Sequence, residues 1–277
     1  MPLDVATQTD PIDPRVCAIL NRPRTRQHTP EWYTARLTRV TASDVPAILG
    51  HNKYMSANAV FKKKTSQSST KEYNAAMDHG LRFEAVAAKI YTAVTGIETI
   101  DEDIGLVLHP EYPQFGASPD RIAKDTPLLI EIKCPRTRKI VPGAVPDQYM
   151  DQLQFQLAVC DVDIVHFVEF KPPTLTQRGQ LHIIECKRDP TWWVRNLPTL
   201  LKFQQDVADY WSERDIPIIC TKPTTMLTVD ADGKIVPETE SSKAEFDFNP
   251  DDMRYMTSFT DPKEELKHYD VHLRRLA

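Results

Sequence analysis

The segment 128–134, Leu-Leu-Ile-Glu-Ile-Lys-Cys, restricts the fold of this chain more than any other part of the sequence. Its short apolar run lies between turn residues, which predicts a β-strand. Glu131 and Lys133 are two positions apart and project from the same face of that strand, whereas Ile132 points into the core. The pattern predicts a sheet with two opposite charges side by side on one strand.

Helical and strand patterns alternate around this segment. Apolar residues at three- and four-residue spacing predict a long helix over 71–95 that ends at Gly96. Shorter helices are predicted over 31–36 and over 57–64, the latter with Ser56 as N-cap. Another short helix is predicted to begin after the N-cap residues of segment 41–44 and to end at Leu49. Further strands are predicted at 97–108, 115–123, 164–170 and 181–186, and further helices at 144–159 and 191–211. This order predicts an α/β fold with a mixed central sheet flanked by helices.

Three regions are predicted along the chain. Residues 1–29 contain four prolines and little periodicity, which predicts an irregular N-terminal arm that packs on the body. Residues 30–215 form the main domain. Residues 216–277 form an acidic C-terminal extension with a small hairpin near 231–233 and a last helix over 260–277.

The net charge of −5 is unevenly distributed. Residues 222–277 contain 12 acidic and 8 basic residues, which leaves a net charge of −1 for residues 1–221. Local basic patches in the first part are compatible with a nucleic-acid partner, and clustered carboxylates are compatible with a divalent cation. We find neither a long apolar stretch nor a secretory signal pattern, so we expect an intracellular protein of cytoplasm or nucleus, without a membrane partner.

The five cysteines are widely spaced and contain no CxxC pair. Zinc and iron–sulfur sites generally show close ligand pairs. We therefore expect reduced thiols in the core.

Phosphodiester hydrolysis is the chemistry that the charged residues around the central strand suggest. Asp120 precedes Glu131 by eleven positions, and a hairpin would bring the two carboxylates together as hard oxygen ligands for Mg²⁺. Such a metal polarises a phosphoryl oxygen and lowers the pKa of bound water, and Lys133 would contact that water or the scissile phosphate. The alternative is that Glu131 and Lys133 are neighbours on an exposed strand, because Glu-x-Lys triplets are common.

Four segments that match in order add to the Glu-x-Lys triplet, which alone is common by chance. Together they resemble the YqaJ-like viral recombinase family of PD-(D/E)XK nucleases, which includes phage lambda exonuclease. They cover about half of the chain. Their matching residues are Arg36, Thr41-Ala42-Ser43-Asp44, Ile48-Leu49-Gly50, Asn52 and Tyr54; Gly80, Phe83, Glu84, Tyr91 and Thr95-Gly96; Ser118-Pro119-Asp120 with Glu131-Ile132-Lys133-Cys134-Pro135; and Tyr149-Met150, Gln152 and Gln154.

The resemblance implies a restriction-endonuclease-like fold and a role for each matching polar residue. Asp120, Glu131 and the Ile132 carbonyl would hold Mg²⁺, with Mn²⁺ as an alternative, and Lys133 would serve the water. Glu84 would reach the metal shell, and Gln152 would orient the water or the lysine. Arg36 and Ser43 would bind the 5′-phosphate of a DNA end, with Ser118 near the scissile group.

Two positions depart from the family pattern. Arg121 and Thr38 stand where the family commonly has glycine, and Arg39 is a second candidate for the phosphate role of Arg36.

Phosphate contact by Arg136 and Arg138, directly after the catalytic strand, is as well supported as solvent exposure. The triplet 62–64, three lysines, is predicted to be a solvated helix face, and the adjacent tryptophans 192 and 193 to be packing or subunit contacts.

The resulting hypothesis is a Mg²⁺-dependent 5′→3′ exonuclease that degrades linear double-stranded DNA for end resection in single-strand annealing recombination. The resemblance implies double-stranded DNA ends, a single-strand annealing protein and a ring-shaped homo-oligomer as partners. Two alternatives stay open: an endonuclease of the same fold, and a non-catalytic DNA-end-binding recombination scaffold. A Cas4-like nuclease of this fold would hold an iron–sulfur cluster, which the spacing of the cysteines disfavours.

Overall fold

The computed structural model describes residues 12–66, 75–100, 103–214, 227–229, 235–237 and 266–275. Its helices are α1 Pro14–Leu20, α2 Pro30–Leu37, α3 Val45–Ile48, α4 Ala57–Thr65, α5 Ala75–Thr95, α6 Asp147–Cys160 and α7 Pro190–Ser212. Its strands are β1 Arg24–Thr25, β2 Val40–Thr41, β3 Leu106–Leu108, β4 Phe115–Ala117, β5 Arg121–Ile122, β6 Leu128–Lys133, β7 Ile164–Lys171, β8 Gly179–Lys187, β9 Leu227–Val229, β10 Ile235–Pro237 and β11 Tyr269–Arg275.

The main sheet has five strands in the order β11-β8-β7-β6-β5. β6 pairs in parallel with β7 and antiparallel with β5, so the sheet is mixed, as predicted. A second sheet of four short strands has the order β1-β3-β4-β2. Within the strand predicted over 97–108, the described residues contain the strand β3, and the strand predicted over 115–123 is divided into β4 and β5.

Helices cover both faces of the main sheet. On one face, Leu153 and Leu157 of α6 pack with α1 against Leu129 and Phe167. On the other face, α5 packs against a different set of buried side chains, which includes Ile130 and Ile132. Successive residues of β6 alternate between these two cores, which places Glu131 on the face covered by α6.

Local signals account for several helix ends. Ser56 caps α4 through a hydrogen bond from the Ala59 amide at 3.2 Å, as predicted. The α5 helix ends before Gly96, whose φ of +70° is a conformation that favours glycine. The N-terminal part of the helix predicted over 71–95, residues 71–74, lies outside the described residues.

The prediction of an irregular N-terminal arm is wrong for residues 12–29. Val16 and Leu20 of α1 are fully buried in the core, and β1 pairs antiparallel with β3. Pro14, which suggested irregular structure, begins α1, where a proline is favoured because its missing N–H needs no partner. Asp13 caps the same helix end by accepting from the Arg15 amide at 2.7 Å.

The C-terminal prediction is partly confirmed and partly wrong. β9 and β10 form the predicted antiparallel hairpin. The prediction of a last helix over 260–277 is wrong for the described residues 266–275, which form a 3-10 turn, Leu266–His268, followed by β11, which pairs in parallel with β8. The open edge of β8 supplies main-chain hydrogen bonds that a local sequence pattern does not reveal. None of the described helices is both long and apolar enough to cross a membrane.

Candidate active site

Glu131 lies on β6 beneath α6 and is 2% exposed. Its Oε1 accepts hydrogen bonds from Lys133 Nζ and Gln152 Nε2. Its Oε2 accepts from Gln156 Nε2 at 2.7 Å. The predicted placement of Glu131 and Lys133 on one strand face is thus confirmed, and both oxygens of the carboxylate are oriented by neighbouring side chains.

Asp120 immediately precedes β5, the hairpin partner of β6. The antiparallel register sets Arg121 opposite Ile130, so Asp120 lies opposite Glu131 toward the C-terminal end of β6. Its Oδ2 accepts from the Ile132 amide at 2.6 Å, and its Oδ1 accepts no hydrogen bond from the described residues. The hairpin therefore brings the two carboxylates together across a short gap, as predicted, with one Asp120 oxygen left for a ligand.

Electrostatics distinguish the carboxylates of this site from ordinary surface groups. Burial, followed by the negative charges of Glu131 and Glu84, raises the pKa of Asp120 well above its usual value. Burial alone would lower the pKa of Lys133, but Glu131 and Asp120 outweigh it and raise that pKa. In the metal-free protein Lys133 is therefore a cation that donates hydrogen bonds, and the clustered carboxylates favour an added positive charge.

Glu84 reaches the site from α5, on the other side of the hairpin. Its Oε1 accepts from Arg121 Nη1 at 3.1 Å. Burial is the main cause that raises its pKa, while Arg121 opposes that effect. Arg121, which departs from the family pattern, thus begins β5 and pairs with Glu84 without moving Asp120 away from β6.

The donor set suits a hard divalent cation. Within the described residues, no three histidine, cysteine or carboxylate side chains form a metal-binding group of their own. Mg²⁺ does not need one, because it commonly takes one or two carboxylates and completes its shell with water and substrate phosphate. Asp120, Glu131 and the Ile132 carbonyl therefore fit such an ion, and Glu84 is placed to reach its outer shell.

Gln156, which donates to Glu131, is a candidate site residue that the sequence analysis missed. It lies one helical turn after Gln152 on α6, so the helical period alone could have placed both amides on the same face.

We expect Gln156→Leu to lower the cleavage rate roughly 10- to 100-fold, the usual effect of removing a group that orients a metal ligand. Single-turnover kinetics would measure it.

Gln154→Leu is the matched control for this substitution. Gln154 lies on the same helix but bonds the Lys187 carbonyl and the Asp189 amide instead of Glu131. Its loss should reduce stability and leave the rate per folded molecule nearly unchanged. Equal rate losses in the two variants would contradict the role given to Gln156.

A second polar site lies at the end of α2. Arg36 Nη2 donates to Ser43 Oγ at 2.9 Å, and the guanidinium carbon of Arg36 lies 4.2 Å from the ring centroid of Trp32. Trp32 Nε1 in turn donates to Ser118 Oγ at 3.2 Å. Ser118 is two residues before Asp120, so the structure joins the predicted end-binding residues to the predicted catalytic hairpin.

The contacts of the neighbouring residues bear on the choice between Arg36 and Arg39. Arg39 is buried and donates to the Pro113 carbonyl at 3.0 Å and the Ala35 carbonyl at 3.1 Å, so its contacts support the main chain and favour Arg36 as the phosphate-binding residue. The α3 helix beside Ser43 has only four residues, too few to serve as an anion site by its N-terminus.

The prediction of a solvated lysine face on α4 is wrong for one residue. Lys62 and Lys63 are exposed, but Lys64 is buried. The helical period turns Lys64 toward the body, where it forms an ion pair with Asp44.

The loop after β6 carries the remaining basic candidates. Arg136 is exposed. Arg138 donates to Glu169, a fully buried carboxylate on β7, and lies 5.8 Å from the ring centroid of Tyr149. Lys133 Nζ lies 5.5 Å from the same centroid, so Arg138 is held beside the candidate active site.

Other side-chain predictions can be compared with the described residues. Cys134, Cys160 and Cys186 are buried free thiols, as expected, whereas the free thiol of Cys17 is only partly buried, and Cys220 lies outside the described residues. Trp192 is buried and donates to Asp151, while Trp193 packs against aromatic rings that include Phe115 and Phe155. Both tryptophans are packing residues.

A carboxylate before the first strand of a hairpin and a Glu-x-Lys pair on the second, within a mixed sheet flanked by helices, define a PD-(D/E)XK nuclease. The model of the YqaJ-like viral recombinase domain matches residues 31–163. The chain belongs to this family and is a DNA nuclease, a hydrolase.

Solved structures support the assignment. An alkaline exonuclease from Laribacter hongkongensis, LHK-Exo, is 30% identical with a TM-score of 0.56, and the match covers 67% of this chain and 96% of LHK-Exo. LHK-Exo in complex with dAMP is 28% identical with a TM-score of 0.54, over the same shares of both chains. A comparison with curated proteins found no significant match.

Proposed function

We propose that this protein is a Mg²⁺-dependent exonuclease that degrades linear double-stranded DNA from its 5′ ends. The observation that carries the proposal is the connection of the Arg36–Ser43 pair, through Trp32 and Ser118, to the hairpin of Asp120 and Glu131. A terminal phosphate held at the first site would place a nearby phosphodiester at the second.

Each catalytic residue has a role that follows from its contacts. A bound Mg²⁺ or Mn²⁺ would polarise the scissile phosphoryl oxygen and lower the pKa of water. Asp120, Glu131 and the Ile132 carbonyl would hold the ion. Lys133 would donate a hydrogen bond to the attacking water or the phosphate, since it carries its proton, and Gln152 would keep Glu131 in position.

At the end-recognition site, an arginine fork suits the two free oxygens of a terminal phosphate. Stacking on Trp32 and the hydrogen bond to Ser43 hold the Arg36 guanidinium in one orientation. Arg136 and Arg138 would contact the phosphates of the strand that leaves the active site. We propose no phosphate role for Arg39, because it is buried against main-chain carbonyls.

The family assignment supports a place in recombination, where end resection exposes a single strand for annealing. LHK-Exo is named an exonuclease, and its complex contains dAMP, a nucleoside monophosphate of the kind that exonucleases release. An annealing protein and a ring-shaped oligomer stay predictions from the resemblance.

The substrate form gives the most direct test of exonuclease action. We expect linear duplex DNA to be degraded to mononucleotides with Mg²⁺, while closed circular DNA of the same sequence stays intact. Gel electrophoresis and chromatography of the products would measure this. Nicking of the circle would favour an endonuclease, and binding without cleavage of either form would favour a scaffold.

Metal binding should also be visible without substrate. We expect saturating Mg²⁺ to stabilise the protein by about 1–3 kcal/mol, a rise of roughly 3–10 °C in the midpoint of thermal unfolding. The reason is that the ion relieves the repulsion between Asp120 and its neighbouring carboxylates. In Asp120→Asn the rise should shrink. Full cleavage in excess EDTA would exclude the metal-dependent mechanism.

A further inference from the structure

Lys64 is buried beneath the end-recognition site with all three of its N–H donors directed at protein oxygens. Its side chain is 4% exposed and that of Asp44 is 6% exposed. Nζ lies 2.7 Å from Asp44 Oδ2 and donates to the Arg36 carbonyl at 2.9 Å and to the Arg39 carbonyl. Lys64 therefore has no donor left for a DNA phosphate, and any effect on recognition must pass through the residues that it holds.

The contacts of Lys64 lie on both sides of the Arg36–Ser43 hydrogen bond. Through the Arg36 carbonyl, the ammonium group holds the end of α2 that carries the guanidinium. Through Asp44, it holds the turn that carries Ser43, because Asp44 Oδ2 also accepts from the Thr41 amide at 3.0 Å and from Thr41 Oγ1 at 2.5 Å. One buried ion pair thus joins the two segments that supply the predicted phosphate contacts.

Charge provides a second connection to the site. Burial alone would raise the pKa of Asp44, but the positive charges of Lys64 and Arg36 outweigh that effect and bring the pKa to about 2. Asp44 is therefore an anion that both cations attract. If Lys64 were neutral, the Asp44 charge would be left to compete with a terminal phosphate for Arg36.

We propose that Lys64 and Asp44 are positioning residues for recognition of the 5′-phosphate. Their ion pair holds Arg36 against Ser43 and keeps the Asp44 charge from competing with the phosphate. The inference rests on the end-recognition function proposed above for Arg36 and Ser43. It differs from a purely structural role, because a structural ion pair would affect all substrates equally.

The test uses the full chain with Mg²⁺ and two linear duplexes that differ only in a 5′-phosphate or a 5′-hydroxyl. The measured quantity is the ratio of the two initial rates. We expect Lys64→Met to lower the ratio roughly tenfold, as for misplacement of a group that orients the substrate. The rate on the hydroxyl duplex should change much less than the rate on the phosphorylated one.

Lys63→Met is the matched control, because it removes the same charge from an exposed position on the same helix. It should keep the wild-type ratio. Removing one partner of a buried ion pair is strongly destabilising, so Lys64→Met itself could fail to fold. The double variant Asp44→Asn/Lys64→Met removes both charges, which relieves that penalty, and its ratio should still be reduced because the bridge between the two segments is gone.

The outcomes separate the two proposals. A wild-type ratio near one would overturn end recognition and this inference together. A wild-type protein that prefers the phosphorylated duplex, with a folded single or double variant that keeps the same ratio, would overturn this inference alone. So would an equal loss of rate on both substrates. A selective loss of the phosphate preference in either variant, with Lys63→Met unchanged, supports the positioning role.

Discussion

Asp120→Asn, Glu131→Gln and Lys133→Met are each expected to reduce DNA cleavage by roughly 10³-fold or more while the fold survives. The two carboxylate substitutions remove the charge that would hold the metal, and Lys133→Met removes the cation beside the attacking water. Each replacement is close in size to the original side chain, so packing around β6 should change little. Single-turnover cleavage of a labelled duplex measures the loss, and circular dichroism verifies folding.

Two exposed residues provide controls for the lost charges. Glu98→Gln removes a carboxylate whose side chain is 71% exposed, and Lys187→Met removes an exposed lysine at the end of β8. Both should cleave at nearly the wild-type rate. If a folded Asp120, Glu131 or Lys133 variant retained near-normal turnover, the assignment of that residue to the active site would be untenable.

Arg36→Ala is also expected to have a large effect, and that effect should depend on the DNA end. A charge-assisted contact of roughly 1.5–3 kcal/mol implies that the wild-type protein degrades a 5′-phosphorylated duplex about 10- to 100-fold faster than its 5′-hydroxyl counterpart. The variant should lose most of this preference, because it lacks the fork that distinguishes a terminal phosphate from a hydroxyl. Initial rates on the two duplexes measure the preference.

Arg195→Ala is a suitable control, since its side chain is 63% exposed on α7. It should keep the preference for the phosphorylated duplex. Equal rates of the wild-type protein on both substrates would disprove end recognition by Arg36, although the nuclease assignment would stand.

The central strand shows how much of the active site local sequence can determine. The period of two in a strand places Glu131 and Lys133 on one face and Ile132 on the other, and the structure confirms both. A short connection between β5 and β6 allows only a hairpin, so the meeting of Asp120 and Glu131 also follows from the sequence. These relations depend on residues close together in the chain, where the backbone geometry leaves few alternatives.

The buried lysine shows where local sequence is insufficient. Three consecutive lysines favour solvent exposure, and residue type alone does not separate Lys64 from Lys62 and Lys63. What separates them is the set of oxygens from Arg36, Arg39 and Asp44, which lie 20 or more positions earlier in the sequence. The pairing of β11 with β8 has the same origin, because an open strand edge outweighed the local preference for a helix.

The sequence by itself determined the nuclease core, the strand that carries the candidate catalytic residues and the residue types of the proposed metal site. Helical and strand periods and four ordered segments specify these, and each acts over a short range of the chain. Only the tertiary structure decided that Gln156 Nε2 donates to Glu131, that Trp32 and Ser118 connect the two predicted sites, and that Lys64 is buried beneath one of them. The physical reason is that burial and hydrogen bonding depend on which distant segments meet, and periodicity does not encode that meeting.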